Sequence, residues 1–209
     1  QDEEVWSGEV ILTGDVIVPF GSKLTILPGT VVKCQPKTDD QQGGNDKERI
    51  EIIIDGGELI ASGTESEHII FTSAAENPEK GDWYGIRLIR GLLTLRYCDE
   101  NAGVIGLRVE NSMPKSVEYC SFGSNSDKGI STHPSIKLIG CRFENNSVGL
   151  SFENGMRAKK CEIKENIKDG ISGKGTLILE DCDIIKNGSG VTVDGTATIN
   201  DCSIAENGK

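Results

Sequence analysis

Residues 177–207 read LILEDCDIIKNGSGVTVDGTATINDCSIAEN and contain the same pattern twice. Each copy has an apolar residue three positions before a cysteine, an isoleucine two positions after it and an asparagine five positions after it. Between the copies, Gly190 is followed at once by the apolar residue Val191. This short repeat, with its alternation of apolar and polar positions, decides the fold.

The same columns of residues extend through residues 93–207. Six cysteines follow one another at spacings of 22, 21, 20, 21 and 20 residues: Cys98, Cys120, Cys141, Cys161, Cys182 and Cys202. A second column contains Asn125, Asn146, Asn166, Asn187 and Asn207. The first unit departs from the pattern, because Glu100 replaces the apolar residue after the cysteine and Gly103 replaces the asparagine.

The period and the alternation together indicate stacked β-strands. A period near 21 residues is shorter than that of most helical repeats, and alternation with a period of two is typical of strands. Stacked coils of this kind bond their backbones as a parallel sheet does, and parallel connections are almost always right-handed. The sequence therefore predicts an all-β fold, a single-stranded right-handed parallel β-helix (solenoid) with coils of about 21 residues.

The whole chain, residues 1–209, is predicted to form a single β-helix domain. Residues 1–92 form N-terminal coils with polar loops at 35–49 and 73–81, and residues 93–209 form the regular Cys/Asn/Gly coils. The loop at 35–49 lacks apolar periodicity, and we expect it to project from the solenoid.

The two repeated polar columns are expected to be structural. Thiols in register on neighbouring coils would lie about 4.8 Å apart, whereas a disulfide needs Cβ atoms about 3.5–4.5 Å apart. Buried, reduced thiols are therefore favoured over disulfides, and a metal site lacks the usual CxxC or CxxH spacing. The asparagines are predicted to lie at left-handed bends and to hydrogen-bond one another along the stack.

Charge and hydropathy narrow the range of partners. The formal net charge of −11 argues against a nucleic-acid partner, which would require a basic face. No apolar run approaches the length of about 20 residues that a membrane span needs. The chain begins at Gln1 instead of a methionine, which favours the mature start of a secreted protein over an excised fragment. We therefore expect an extracellular or cell-surface location.

The segment from Gly21 to Leu88 resembles the opening of secreted right-handed parallel β-helix proteins of the pectin-lyase-like superfamily. Four stretches carry the resemblance: LTILPGTVV at 24–32, GELIASGT at 57–64, IIFTS at 69–73 and GDWYGI at 81–86. The Cys/Asn/Gly coils are similar to the repeats that follow in that superfamily. The resemblance therefore covers most of the chain and implies a β-helix in a secreted or surface setting.

The resemblance leaves the activity open, because the superfamily contains lyases, hydrolases, epimerases, adhesins and structural modules. Its pectate lyases use a Ca²⁺-binding carboxylate group beside an arginine base, and its polygalacturonases use clustered aspartates with a histidine and an Arg-Ile-Lys stretch. The sequence has neither pattern. We expect a non-catalytic member of the repeat type without a cofactor.

Two outward surfaces are candidates for binding. The first, on adjacent coils, either binds Ca²⁺ weakly or is a solvated acidic patch: Asp181, Asp183, Asn200 and Asp201. The second either forms a shallow saccharide-binding face or consists of solvated residues that oppose acidic ones across coils: Tyr84, Arg87, Arg90 and Arg96, with Tyr97 and Arg108 nearby. We favour the solvated interpretation of both.

The ends of the stack suggest a function. An open coil presents unpaired backbone groups and an apolar cross-section, and neither end has an obvious cap. The predicted assembly interface comprises Val5, Trp6, Val10, Ile199, Cys202 and Ile204. The leading hypothesis is an extracellular structural solenoid, either a filament subunit that binds its own copies head-to-tail or a stalk module beside neighbouring domains of a longer surface protein. The alternative is a polysaccharide-binding or polysaccharide-processing β-helix domain.

Overall fold

The structure, a computed structural model, describes residues 2–208 and is composed of strands and turns. Its strands are β1 (Glu3–Trp6), β2 (Glu9–Leu12), β3 (Val16–Pro19), β4 (Lys23–Ile26), β5 (Val31–Cys34), β6 (Glu51–Ser62), β7 (Ile69–Ser73), β8 (Gly85–Arg96), β9 (Cys98–Asn101), β10 (Ile105–Val109), β11 (Ser116–Glu118), β12 (Ser121–Gly123), β13 (Lys128–Thr132), β14 (Ile136–Ile139), β15 (Arg142–Glu144), β16 (Val148–Phe152), β17 (Gly155–Lys159), β18 (Glu162–Lys164), β19 (Asp169–Glu180), β20 (Asp183–Ile185), β21 (Ser189–Asn200) and β22 (Ser203–Ala205).

These strands stack in parallel as a three-sided solenoid. A nine-stranded sheet, in the order β2-β5-β7-β9-β12-β15-β18-β20-β22, forms the face that follows the cysteine column. A 13-stranded sheet forms the other two faces. Successive coils pair in register, as in Ile163 beside Ile184 and Ile184 beside Ile204. The predicted all-β parallel solenoid with coils of about 21 residues is therefore confirmed.

Four long strands, β6, β8, β19 and β21, run through both faces of the larger sheet and bend between them. In β6, residues 52–55 pair with β3 and residues 58–61 pair with β4. In β19 the bend lies at Gly175, where φ is +107° and an added Cβ would come within 2.1 Å of the Asn154 carbonyl oxygen. Only glycine fits such a corner, because it tolerates both the backbone angle and the close contact.

The core is a narrow column of stacked side chains. Phe122 and Phe143 lie in register on β12 and β15, with ring centroids 5.6 Å apart and planes 5° from parallel. All seven cysteines are free thiols, and every one except Cys202 is buried. The hydrogen bond with Cys141, together with burial, raises the pKa of Cys161 to about 12. Such a thiol stays neutral and packs as a small apolar group.

The asparagine ladder (Asn125, Asn146, Asn166, Asn187 and Asn207) joins each coil to both of its neighbours. The Asn146 backbone N–H donates to Oδ1 of Asn166, at 3.0 Å. Its side-chain Nδ2 donates to the Phe122 carbonyl oxygen of the preceding coil, at 3.1 Å. The same pair of bonds recurs at Asn166 and Asn187. The ladder thus satisfies backbone groups that burial would otherwise leave unpaired.

The left-handed bends do not lie at the ladder asparagines, so that part of the sequence interpretation is wrong. The residues immediately before the ladder have φ between 54° and 58°: Ser124, Asn145, Glu165, Lys186 and Glu206. A second set, with φ between 47° and 63°, immediately precedes the cysteines: Tyr97, Tyr119, Gly140, Lys160, Asp181 and Asp201. Each left-handed residue turns the chain so that the next side chain, Asn or Cys, points into the core.

The polar loop at 35–49 lies against the first coils, contrary to the expectation that it projects. The buried Asp39 carboxylate accepts hydrogen bonds from the backbone N–H groups of Asp15, Gln41 and Gly43, each at 3.0 Å. Glu51, also buried, accepts from the N–H groups of Asn45 and Asp46. In this loop two carboxylates therefore make the backbone hydrogen bonds that the asparagines make in the regular coils.

Asp15 is the least satisfied member of this acidic group. Its Oδ1 accepts the Glu51 backbone N–H at 2.6 Å, whereas its buried Oδ2 has no hydrogen-bond partner among residues 2–208. Burial raises the pKa of Asp15 to about 6, and the nearby carboxylates of Asp39, Glu51 and Asp46 add to the rise. Ionisation of Asp15 therefore destabilises the contact between the loop and the first coils.

Asn146→Ala should destabilise the solenoid, since it removes the amide and leaves the Asn125 N–H and the Phe122 carbonyl unpaired in the core. Each unsatisfied buried group costs about 1–3 kcal/mol, so we expect a loss of about 2–4 kcal/mol in the free energy of unfolding by urea denaturation. The control is Asn145→Gly, at the exposed neighbouring position with φ of 58°. An equal loss in both variants would contradict the role of the ladder.

Asp15→Asn should make the loop less sensitive to pH. A carboxyl whose pKa rises from 3.8 to about 6 stabilises the fold fully below pH 3.8, and this contribution is lost as the pH rises through about 6. The asparagine variant lacks this loss, so it should be more stable than the wild type above pH 6. Urea unfolding across this range checks the result. The exposed Asp40→Asn serves as control, and a wild-type slope retained in Asp15→Asn would refute the assignment.

Candidate functional site

The arginines of the predicted arginine face form ion pairs, two of which share Glu110. Arg87 contacts the carboxylates of Glu110, at 2.8 Å, and Glu51, at 3.4 Å. Arg90 pairs with Asp55 at 2.6 Å, and Arg96 pairs with Glu118 at 3.3 Å. The Tyr84 hydroxyl is 3.2 Å from Arg108, which also pairs with Glu110 at 3.0 Å.

Except for Arg108 and Glu110, these partners lie on neighbouring coils, where the register places opposite charges side by side. Arg96 and Glu118, for example, are direct partners in the pairing of β8 with β11. Such cross-strand pairs contribute modestly to sheet stability and occupy the guanidinium donors. The arrangement corresponds to opposed charges across coils more closely than to a prepared saccharide site.

The acidic patch lies beside the last coil. Asp181 and Asp201 occupy left-handed positions before Cys182 and Cys202, and with Asn200 they line an open depression of about 450 Å³. Asp183 lies on β20, where it is exposed. Within residues 2–208, no group of three or more His, Cys, Asp or Glu side chains is placed to hold a metal ion.

An aromatic groove lies on the corner that precedes the cysteine column. The rings of Tyr97 and Tyr119 stack with centroids 5.0 Å apart and planes 13° from parallel. His68 continues the row, with its ring centroid 5.6 Å from that of Tyr97. The tyrosine groove, about 330 Å³ in volume, is lined by these three rings and by Asp99, Cys120, Ser121, Gly140, Cys141, Arg142, Lys160 and Glu162.

Polar groups around the rings give the tyrosine groove directional contacts. The His68 ring nitrogen Nδ1 lies 2.9 Å from Asp99 Oδ2, which orients the imidazole. On the other side, Arg142 pairs with Glu162 at 2.7 Å. A shallow surface with aromatic rings and with hydrogen-bonding groups at its edges suits a polar ligand with an apolar face.

Sequence reasoning missed this groove, although one signal was present. Tyr97 and Tyr119 each immediately precede a cysteine of the repeat, so the repeat places them on the same corner of adjacent coils. The position of His68 had no such signal. The loop at 73–81 lengthens that coil to 29 residues between His68 and Tyr97, which the regular period does not reveal.

The two ends of the solenoid differ. At the C-terminal end, Ile199 and Ile204 are 42% and 43% exposed, whereas Leu179 and Ile184, their partners one coil earlier, are fully buried. Cys202 is likewise only partly buried.

At the N-terminal end, Trp6 is only 8% exposed and donates its indole N–H to Glu4 at 2.6 Å. Val10 packs partly against the core, and Val5 points outward from the solenoid. The predicted interface residues of the last coil thus form an open apolar end, whereas Trp6 at the other end is largely buried.

Comparison with known proteins locates the chain among β-helices. Residues 5–94 match the model of the pectate-lyase-like beta helix domain, and residues 90–209 match that of the right-handed beta helix region. The chain matches no curated protein and no solved structure. Residues 2–208 contain no helix suited to crossing a membrane. The second family model covers more than half of the chain and agrees with the parallel coils described above, so this protein belongs to the right-handed parallel β-helix family of pectin-lyase-like fold.

Proposed function

We propose that this protein is a non-catalytic structural β-solenoid of an extracellular or cell-surface protein, and that its last coil packs against a further coil. One observation carries the proposal. The inward column that is fully buried at Leu179 and Ile184 is more than two-fifths exposed at Ile199 and Ile204. Burying apolar surface of this kind is favourable by about 25 cal/mol for each Å².

The backbone of the last coil also supports packing against a further coil. Strands β21 and β22 each pair with a single neighbour in residues 2–208, which leaves a row of unpaired N–H and C=O groups along their outer edges. A coil placed there would continue both the sheets and the asparagine ladder. In a filament, the first coil of a second copy supplies it; in a stalk, the neighbouring part of a longer surface protein does so.

Charge sets a condition on filament formation. The first coil carries Glu3, Glu4 and Glu9, and the last coil carries Asp194, Asp201 and Glu206. Like charges would face each other across a head-to-tail joint and oppose it at low ionic strength. Salt screens such repulsion, because the Debye length falls from about 10 Å at 0.1 M to about 3 Å at 1 M. Association should therefore strengthen as salt increases.

Ile204→Lys tests the open coil. In the wild type we expect association that grows with protein concentration and salt, measured by light scattering after size-exclusion chromatography and by electron microscopy. Ile204→Lys places an amine in the joint and should abolish it. Ile167→Lys is the matched control, since Ile167 is a 70% exposed isoleucine on the side of an interior coil, between β18 and β19.

Circular dichroism shows whether the lysine variants keep the fold. A wild type that stays monomeric under all these conditions would contradict filament formation and leave the stalk. Association that survives in folded Ile204→Lys would contradict the joint at the last coil.

The tyrosine groove supports a second function, binding of a polysaccharide. The observation that favours it is the stacked pair Tyr97 and Tyr119 between the His68–Asp99 and Arg142–Glu162 pairs. The C–H faces of sugar rings pack on aromatic rings, and the flanking groups match sugar hydroxyls. This site differs from the arginine face that the sequence suggests.

Tyr119→Ala is expected to weaken binding of soluble polysaccharide by about two- to tenfold, because one aromatic contact contributes about 0.5–1.5 kcal/mol. Affinity electrophoresis with one uronate and one neutral polysaccharide measures the change. Arg90→Ala, on the arginine face, should bind as the wild type does. If Arg90→Ala loses binding and Tyr119→Ala keeps it, the arginine face is the site; no binding by the wild type refutes the second function.

A further inference from the structure

Glu100 occupies an apolar column of the core. It lies on β9 between Phe71 of β7 and Phe122 of β12, in register with both. Its side chain is inside the solenoid, where the residue is only 2% exposed. Asp99, the preceding residue, points outward and pairs with His68. A carboxyl group in this position is unusual, because acids are almost never fully buried without a charged partner.

The carboxyl group takes the place of a ladder asparagine. Glu100 Oε2 accepts a hydrogen bond from Asn125 Nδ2 at 2.9 Å, so the ladder ends on this side chain. Gly103 stands where the next asparagine would be, and a Cβ there would lie 2.8 Å from Glu100 Oε1. At Gly106 an added Cβ would lie 2.2 Å from Oε2. The two glycines therefore make the room that Glu100 fills.

The second oxygen of the carboxyl group has no partner. Glu100 Oε1 is buried and makes no hydrogen bond to any part of residues 2–208. Burial raises the pKa of Glu100 to about 8, and only the hydrogen bond from Asn125 opposes the rise. The neutral acid is consequently the form that fits the core at neutral pH.

The groups that face Glu100 do not compensate an ionised carboxylate. Phe71 and Phe122 are apolar and Asn125 is uncharged. The titratable group that faces it from β5 is Cys34, whose own pKa burial raises far above its usual value, with Glu100 adding to the rise. Cys34 therefore stays neutral throughout the range in which Glu100 titrates.

We propose that protonation of Glu100 controls the opening of the coil between Cys98 and Val109. This coil has Gly103 in place of a ladder asparagine. Strands β9 and β10 hold it to the preceding coil, together with hydrogen bonds between residues 101–105 and 81–84, and opening must break these contacts. An open coil lets the carboxylate reach water. The closed coil keeps the proton.

The direction of the effect follows from linkage between proton binding and opening. In the open coil Glu100 has its ordinary pKa of 4.5, and in the closed coil about 8. Closure is therefore most favourable below pH 4.5, and this stabilisation is lost as the pH rises to about 8. Between these values the opening equilibrium constant should increase up to about tenfold for each pH unit, and level off above.

Hydrogen–deuterium exchange of the whole chain tests this proposal in peptides that cover residues 98–109. After correction for the base-catalysed chemical rate, wild-type opening should rise steeply between about pH 5 and about pH 8. Glu100→Gln keeps an acceptor for Asn125 and has no proton to lose, so its opening should not change with pH. Glu76→Gln, in an exposed loop, should keep the wild-type slope.

The comparison isolates Glu100 from other groups, because His68, Asp99 and Asp15 are present in all three proteins. Titration of the Glu100 carboxyl carbon by NMR in the wild type gives an independent measurement, and it remains decisive if Glu100→Gln does not fold. A midpoint near pH 8 supports the proposal. A midpoint near the ordinary value, or an equal slope of opening in wild type and Glu100→Gln, overturns it.

Discussion

The structure depends on hydrogen bonds that one side chain makes to the coils on either side of it. Each ladder asparagine from Asn146 to Asn187 bonds to the coil before it through Nδ2 and to the coil after it through its backbone N–H. These bonds need coils in register at the spacing of a parallel sheet, about 4.8 Å. The left-handed residues and the glycine corners allow the backbone to turn and still keep that register.

Carboxyl groups appear in the interior where the repeat is broken. In the N-terminal coils, Asp39 and Glu51 bind the backbone of an irregular loop, as the asparagines bind regular turns. At the junction, Glu100 ends the ladder. A carboxyl accepts backbone N–H groups as an amide does, but it carries an ionisation cost that asparagine avoids. The carboxyl groups whose pKa is raised by burial, Asp15, Glu51 and Glu100, therefore lie where the repeat is broken.

The sequence was sufficient for the coil because its columns recur: one cysteine or asparagine is ambiguous, whereas five or six in register define a stack. What occurs once could not be predicted in this way. In the sequence, Glu100 is an exception to the repeat, and the loop at 35–49 has no periodicity from which the contacts of Asp39 follow. The conformational tolerance of asparagine predicts the left-handed bend at the ladder asparagines, although Glu165 and Lys186 adopt it in the structure. The bend occurs one residue earlier because the asparagine side chain itself must point into the core.

The two left-handed corners of each coil have a consequence for the surface of the protein. The corner before the cysteine is occupied by residues of widely different chemistry that share one backbone geometry: Tyr97, Tyr119, Gly140, Lys160, Asp181 and Asp201. The interior fixes the corner, so its outward group is free to vary. The solenoid thereby presents a row of different chemical groups on its surface, spaced about 4.8 Å apart. Substitutions at these positions would change the chemistry of the surface without changing the spacing of the coils.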